Sequence, residues 1–476
     1  MNIVDAYPYF LYLRLSKIKS VKIFNNTLWA CLILAVLILN SCSGGKKMIQ
    51  GEQLPGIEWA LVGAVTQSSA VLSFNSQVDG KVILKIINKT NGSEEQLHSI
   101  KLKKKNGLVY KQQLTGLKAD TEYNYIISTG SDKRKSITGR FKTFPQGNSS
   151  FKIALGSCAE TGSESRIFTE IKNQNPLFFL NLGDMHYGDI GTNCRNAFDS
   201  VYHKVFTSST QSDLYQNIPL AYIWDDHDFG PNNSGLDNPC RNEAMESYKI
   251  YIPHYPLAFN ESSSPISQVF EVGRVVFVLT DLRSQKDKPD YNKCERVKVG
   301  SNFGTEEHLL WFFDVLKKAK SEGKVVAWVN PIPWINAVGG PNYKCNERDN
   351  WGGYPEERQI IADFIKENEI KIFILSGDAH MVAIDDGTNS DYATGRGAPI
   401  KVFHASALDR PGSYKGGPYS HGYNAGGGHY GIMDVIDIGG EDIYIQWTAY
   451  DKNGFRVTNQ DNKRIEYRFR VNLTRN

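Results

Sequence analysis

Strand-like apolar runs that each stop in a short polar cluster constrain this chain more than any other feature. Phe178-Phe179-Leu180-Asn181-Leu182 can fill a buried strand, and it breaks at Gly183 into Asp184-Met185-His186-Tyr187-Gly188-Asp189. The same design repeats along the chain. Phe151 to Leu155 ends in Gly156-Ser157-Cys158, and Leu220 to Trp224 ends in Asp225-Asp226-His227-Asp228. Val275 to Asp281 runs into Leu282-Arg283, and Lys371 to Leu375 into Ser376-Gly377-Asp378-Ala379-His380. Between these runs lie helical patterns, one from Ser165 to Asn173. Another starts at the cap residue Thr305 and continues to about Lys318, with Leu309, Leu310, Phe312, Phe313 and Leu316 on one side. Strands alternating with helices predict an α/β fold, whose ligands sit beyond the carboxyl ends of its strands.

Pooled, the strand ends supply Cys158, Asp184, Tyr187, Asp225, Asp226, His227, Asp228, Asp378 and His380. Asp184 and Tyr187 stand three positions apart, so one loop can aim both at a single point. A phenol titrates near ~10 in water and ligates as phenolate when a strong Lewis acid lowers that value. A thiolate, a phenolate, imidazoles and several carboxylates are more than one ion needs. A carboxylate bridging two ions roughly 3.5–4 Å apart is a device of phosphoryl transfer, in which the pair activates water and neutralises phosphoryl charge. The chain has no Gly-rich P-loop and no Gly-x-Ser-x-Gly elbow, which argues against nucleoside-triphosphate motors and serine hydrolases.

With 476 residues, two domains are expected, and the formal charge of +3 leaves no basic footprint for nucleic acid. The N-terminus reads as a targeting segment: Arg14, Lys17, Lys19 and Lys22 precede the apolar run Leu28 to Leu39. That run falls short of the roughly 20 apolar residues of a comfortable transmembrane helix. Leu39-Asn40-Ser41-Cys42 after it resembles a bacterial lipobox, so residues 1–42 are expected to be a lipoprotein signal peptide, with lipidation at Cys42. An uncleaved signal anchor is the alternative. Either way the protein leaves the cytoplasm, and an outer-membrane lipoprotein on the periplasmic or cell-surface face is the expected location. Cys31 goes with the signal, leaving Cys158, Cys194, Cys240, Cys294 and Cys345. An odd number in an oxidising compartment asks for one cysteine with another job, assigned here to Cys158. The other four allow three pairings, of which the sequence-near Cys194–Cys240 and Cys294–Cys345 are favoured.

Residues 43–54 read as a tether. From 55 to 147 the pattern is β: Ser69 to Phe74 alternates, Lys81 to Ile87 is strand-like, and Asn91-Gly92 signals a turn. Leu114 to Tyr125 looks like the strand-end turn and tyrosine corner of a fibronectin type III-like β-sandwich.

The quoted motifs resemble the PhoD-like alkaline phosphatases, within the calcineurin-like metallophosphoesterases. The matching pieces are Gly156-Ser157-Cys158, Gly183-Asp184-x-x-Tyr187, Trp224-Asp225-Asp226-His227-Asp228 with Asn232-Asn233 after it, Asp281-x-Arg283, and Gly377-Asp378-Ala379-His380. Purple acid phosphatases share the Asp-x-x-Tyr pair but usually show Gly-Asn-His-Glu and Gly-His-x-His where this chain has Asp-Asp-His-Asp and Gly-Asp-Ala-His. The resemblance implies a metallophosphoesterase αββα sandwich over 151–476, preceded by the fibronectin-like domain. It implies Fe3+ held by Cys158, Asp184 and Tyr187, with Asp184 bridging to Ca2+ helped by Asp226, Asp378 and His380; Zn2+ and Mn2+ are the alternative metals. It also implies that His227 protonates the leaving oxygen and that Asn233 contacts phosphate or metal. The expected protein is an exported, lipid-anchored, monomeric hydrolase of phosphate esters that uses metal-bound hydroxide directly. The alternatives are a phosphodiesterase or phospholipase-type activity in the same site, a purple-acid-phosphatase-like enzyme, and a non-enzymatic surface-binding lipoprotein. The Gly422–Gly431 region, with His429, lacks the family's Arg-Gly-Tyr, which bears on substrate choice. Tyr414, Tyr419, Tyr423 and Tyr430 nearby could stack on a sugar, leaving a polysaccharide- or nucleotide-derived ester open.

Overall fold

The first strands are β1 (Ala60–Gly63), β2 (Ser69–Asn75), β3 (Gly80–Asn88), β4 (Glu94–Leu102), β5 (Val109–Thr115), β6 (Glu122–Thr129) and β7 (Ser136–Lys142). The core strands follow as β8 (Phe151–Gly156), β9 (Phe179–Asn181), β10 (Leu220–Tyr222), β11 (Gln268–Val272), β12 (Val275–Leu279), β13 (Val325–Val329) and β14 (Ile372–Ser376). The last are β15 (Val382–Asp385), β16 (Lys401–Ala405), β17 (Tyr423–Asn424), β18 (His429–Ile436), β19 (Asp442–Asp451) and β20 (Glu466–Asn472). Helices α1 (Arg166–Asn173), α2 (Cys194–Phe206), α3 (Gln211–Asn217), α4 (Asp226–Phe229), α5 (Arg241–Tyr251), α6 (Glu306–Ser321) and α7 (Pro355–Glu367) lie between them. This computed structural model describes residues 56–77, 80–102, 109–129, 136–260, 265–287, 301, 303–336 and 349–474. Cys42, the rest of the signal and tether, and Cys294 and Cys345 lie outside the described residues.

The fold is α/β. One sheet has nine strands in the order β20-β19-β18-β8-β9-β10-β1-β2-β5, and another has seven in the order β11-β12-β13-β14-β16-β15-β17. Side-chain alternation along the strands explains how the sheets stack. In β12, Phe277 and Leu279 join the core shared with the nine-stranded sheet, whereas Val276 and Val278 join a second core with Phe312, Phe313 and Leu316 of α6 and Ile361 of α7. β9 and the residue before it divide similarly. The Phe178 ring meets Phe277 at 5.3 Å, and Phe179 lies 6.2 Å from Tyr215 of α3 on the opposite side. Both sheets are thus buried on two faces at their centres, which explains the unbroken apolar runs in the sequence.

β8, β9 and β10 run parallel to one another, as do β13, β14 and β16. Their carboxyl ends therefore gather the polar clusters. Two glycines allow the close approach. Gly183 has φ +106°, and a Cβ there would meet the Asp225 Cβ at 2.5 Å; one at Gly377 would meet Leu182 O at 2.5 Å and Ser157 Oγ at 2.9 Å.

Ser165 caps α1 by accepting from Ile167 N, and Thr305 caps α6 by accepting from His308 N. Several expectations need correction. The third and fourth core strands end at Tyr222 and Leu279, short of Trp224 and Asp281. Leu310 lies at the margin of the α6 stripe and is 51% exposed. Besides these corrections, one sheet runs across both the 55–147 and 151–476 stretches, because β1 pairs in parallel with β10 through Gly63 and Leu220. The opposing sheet, β4-β3-β6-β7, carries Tyr123, whose hydroxyl accepts from Lys118 N at 3.0 Å. Tyr125 donates its hydroxyl to Gln216 O at 2.8 Å, tying that sheet to α3. Cys194 and Cys240 form a disulfide between the start of α2 and the residue before α5, and Cys158 is free and buried.

His404 of β16 is fully buried, with Nε2 3.3 Å from the Tyr419 hydroxyl. Burial drives its pKa down to about 4, from the usual 6.5. A depressed folded-state pKa stabilises the fold above pH 6.5, and this contribution fades as pH falls towards 4. The loss is on the order of 2–3 kcal/mol. Urea midpoints at pH 7 and pH 4.5 should therefore converge in His404→Gln relative to the parent. An unchanged difference between the two pH values would rule the assignment out.

Candidate metal centre

Apart from Asp228, the candidates named from the strand ends gather in one cluster. Cys158, Asp184 and His380 offer ligand atoms within 4.8 Å of one another, as do Asp184, Asp226 and His227, and again Asp225, Asp226 and Asp378. Asp184 belongs to the first two groups and Asp226 to the last two, so the cluster is continuous. Tyr187 closes one end: its hydroxyl donates to Asp184 Oδ2 at 2.9 Å and lies 2.7 Å from His380 Nε2. Cys158 Sγ is 3.5 Å from the same Asp184 oxygen. Asn233 reaches the cluster through its backbone, the N–H donating to Asp226 Oδ2 at 2.7 Å.

The backbone holds this arrangement in an unusual way. Cys158, Asp184, Asp378 and His380 all have positive φ, between 51° and 61°. Asp and His tolerate the left-handed region better than most residues, but cysteine gains nothing there. Such conformations cost on the order of 1–3 kcal/mol each and collect at functional sites.

Second contacts fix the ligand types. His380 Nδ1 lies 2.8 Å from Pro411 O, which leaves Nε2 facing the cluster. His227 Nδ1 lies 2.6 Å from Asp189 Oδ1, and its ring packs 4.1 Å from that of Tyr187. Arg283 is fully buried, with Nε donating to Asp225 Oδ1 at 2.5 Å, Nη1 to both oxygens of Asp349, and Nη2 3.6 Å from Asp226 Oδ1. Lys415 Nζ donates to Asp378 Oδ1 at 2.5 Å.

Asp225 and Asp228 divide off from the pooled set. Asp225 spends one oxygen on Arg283, and Asp228 accepts from the backbone N–H groups of His186 and Asp225, both at 3.1 Å. Asp228 therefore shapes the turn. Asp281 also builds structure, accepting from Trp224 Nε1 and from the backbone of Ile266, Arg283 and Ser284. Sequence reasoning missed Asp189, Lys415 and Arg410, whose guanidinium carbon sits 4.0 Å from the Tyr187 ring centroid. Asp189 stood within the quoted opening stretch. Nothing local marked the other two.

The electrostatics call for cations. Burial pushes the Asp184 carboxyl well above the carboxylate range, with Asp226 and Asp225 adding repulsion. Burial raises Asp225 to about 7 although Arg283 pulls against it. Burial also acts on Asp226, yet Arg283, His227 and the Asn233 N–H together hold it low. Burial pushes the Cys158 thiol up, and Asp184 adds to it. Burial opposes the charged form of His227, but Asp226, Asp184 and Asp189 outweigh it and raise its pKa. Asp184 Oδ1, Asp225 Oδ2 and Asp226 Oδ1 are buried with no hydrogen-bond partner among the described residues. Unpaired buried carboxylate oxygens are costly, and metal ions would satisfy them. The donor set fits: thiol, phenol and imidazole at one end suit a transition metal, and carboxylates at the other suit a hard cation.

A family model described as PhoD-like phosphatase matches residues 153–419. Alkaline phosphatase D of Bacillus subtilis (strain 168) is 24% identical over 309 residues, covering 56% of this chain and 52% of that protein. The chain thus spans about half the length of this curated relative. A solved structure described as that of PhoD is similar in fold, with a TM-score of 0.63 at 15% identity over 85% of this chain and 93% of that one. The matched span carries all the cluster residues from Cys158 to Lys415, and the chain belongs to the PhoD-like phosphatase family.

Proposed function

We propose that this protein is an exported phosphoesterase that hydrolyses phosphate esters at the Asp184–Asp226 cluster. The observation that carries the reading is the meeting of Cys158, Asp184, Tyr187, Asp226, His227, Asp378 and His380 from both sheets, with carboxylate oxygens left over. Cys158, Asp184, Tyr187 and His380 would hold one ion and Asp226 and Asp378 a second, with Asp184 as the bridge; iron and calcium are the favoured pair. When bound, the ions would supply the Lewis acidity that activates water and neutralises phosphoryl charge. His227, whose protonated form Asp226, Asp184 and Asp189 favour, gives its proton to the leaving alcohol oxygen as the P–O bond breaks; the water oxygen bonds to phosphorus, and the proton the water gives up returns to the imidazole. The fold is read as a metallophosphoesterase αββα sandwich (151–476), supported by the packing of the two large sheets and of α6 and α7 outside one of them, with a fibronectin type III-like domain (55–147), supported by the β1-β2-β5 and β4-β3-β6-β7 strand orders. Lipidation at Cys42 would tether the protein to the outer membrane.

Treatment with a chelator should abolish phosphate release from 4-nitrophenyl phosphate, and elemental analysis of native protein should return iron with calcium. Full activity in metal-free protein would overturn the reading, and two zincs per chain would overturn the metal assignment. For the anchor, Cys42→Ala should move the exported protein from the detergent to the aqueous phase in a phase-partition assay. Equal partition of both forms would refute lipidation there.

A further inference from the structure

One segment of chain leaves the cluster and becomes the wall of a neighbouring cleft. Pro411 O faces His380 Nδ1, Ser413 N donates to His380 O at 2.9 Å, and Lys415 Nζ reaches Asp378. Tyr414, between the last two, lines a cleft of about 500 Å³ together with Tyr419, His421, Tyr423, Lys463 and Arg464. That volume lies in the range of small-ligand pockets, roughly 300–1,000 Å³. It is more than inorganic phosphate or a small alkyl ester needs.

The chemistry of the walls is specific. The Tyr414 ring lies 4.2 Å from that of Tyr423, and Tyr414 is 47% exposed. Tyr423 is half-buried, so the pair offers a ring the exposed face of Tyr414 backed by Tyr423 at a concave site. The platform is braced from below, where Tyr419 donates its hydroxyl to Lys415 O at 2.9 Å and is almost fully buried. Opposite stands the turn at 459–463, held by Asn459 N to Lys463 O at 2.8 Å and by Asn459 Nδ2 to His421 O at 3.0 Å. It presents Lys463 and Arg464 side by side. Both are exposed, and neither has an ion-pair partner among the described residues. Asp461 is the lone carboxylate in the lining, so the cleft is cationic as well as aromatic.

We propose that this cleft receives the alcohol side of the substrate, and that this alcohol carries a ring and a second anionic group. The ring stacks on Tyr414 and Tyr423, and Lys463 and Arg464 meet the second charge while the reacting phosphoryl lies at the cluster. The proposal rests on the phosphoesterase reading and narrows its substrate class. A phosphorylated sugar and a nucleotide share this chemistry.

Phosphate release is measured from methyl phosphate, glucose 1,6-bisphosphate and adenosine 3′,5′-bisphosphate. Both bisphosphates, or the one whose ring the platform accepts, should exceed methyl phosphate at least tenfold in kcat/KM. Tyr414→Ala should raise KM for the ring substrates about tenfold with kcat held, and Tyr414→Phe should restore it. Lys463→Ala/Arg464→Ala should raise KM for the bisphosphates and leave methyl phosphate unchanged. Equal effects on all three esters, or none, would overturn the subsite. Calorimetric binding of the same bisphosphates to Asp184→Asn protein separates the two readings. Binding that the Lys463/Arg464 double variant weakens at least fivefold, with no turnover of any ester by the parent, would keep the subsite and reject the hydrolase. Binding indifferent to those residues would reject the subsite even in an active enzyme.

Discussion

Asp184→Asn is expected to lower kcat/KM on 4-nitrophenyl phosphate by about 10³-fold or more. The substitution nearly preserves shape, and the amide oxygen can still accept from Tyr187, so the loss comes from charge at the one position common to the thiol–imidazole and carboxylate–imidazole groups. An amide cannot bridge two cations as a carboxylate does, and a barrier rise of several kcal/mol corresponds to that fold-change. Elemental analysis of the variant should show less than the full metal complement. Activity within tenfold of the parent would remove Asp184 from the centre of the chemistry.

Arg283→Met is expected to destabilise the fold by about 3–5 kcal/mol, the usual result of removing one partner from a buried charge network. The guanidinium is fully buried among Asp225, Asp226 and Asp349. Asp349 retains Lys286 as a partner, but Asp225 would lose its guanidinium partner while its Oδ2 already has no hydrogen bond among the described residues. The urea midpoint should fall accordingly, and Asp225→Asn in the Arg283→Met background should recover part of the loss by removing the stranded charge. A loss below 1 kcal/mol would mean that the surrounding carboxylates are held by something else.

The strand ends were legible in the sequence because their cues are local: an apolar run, a glycine, then ligand types within a few residues. Tyr187 and Asp184 could be linked because they share one loop, and Cys158 because the cysteine count left it over. Arg283 was visible within Asp281-x-Arg283, but its role depends on Asp225 and Asp349, far away in the chain. Lys415 and Arg410 were illegible for the same reason, since the path of the 410–419 segment is set by its contacts with His380 and not by its own pattern. In the fold, alternation was enough to find β2 and β3, but not to show that β1 would lie against β10. A pairing through Gly63 and Leu220 leaves no trace in either short segment.

That pairing determines how the protein can be divided. If the chain were cut after β7 and expressed from Phe151 onward, β10 would keep β9 but lose β1, and its outer edge would present raw backbone donors and acceptors to solvent. The strand so bared is the one whose end leads into Asp225 and Asp226. A fragment chosen to isolate the chemistry would therefore be sticky along one flank and loose where its carboxylates emerge.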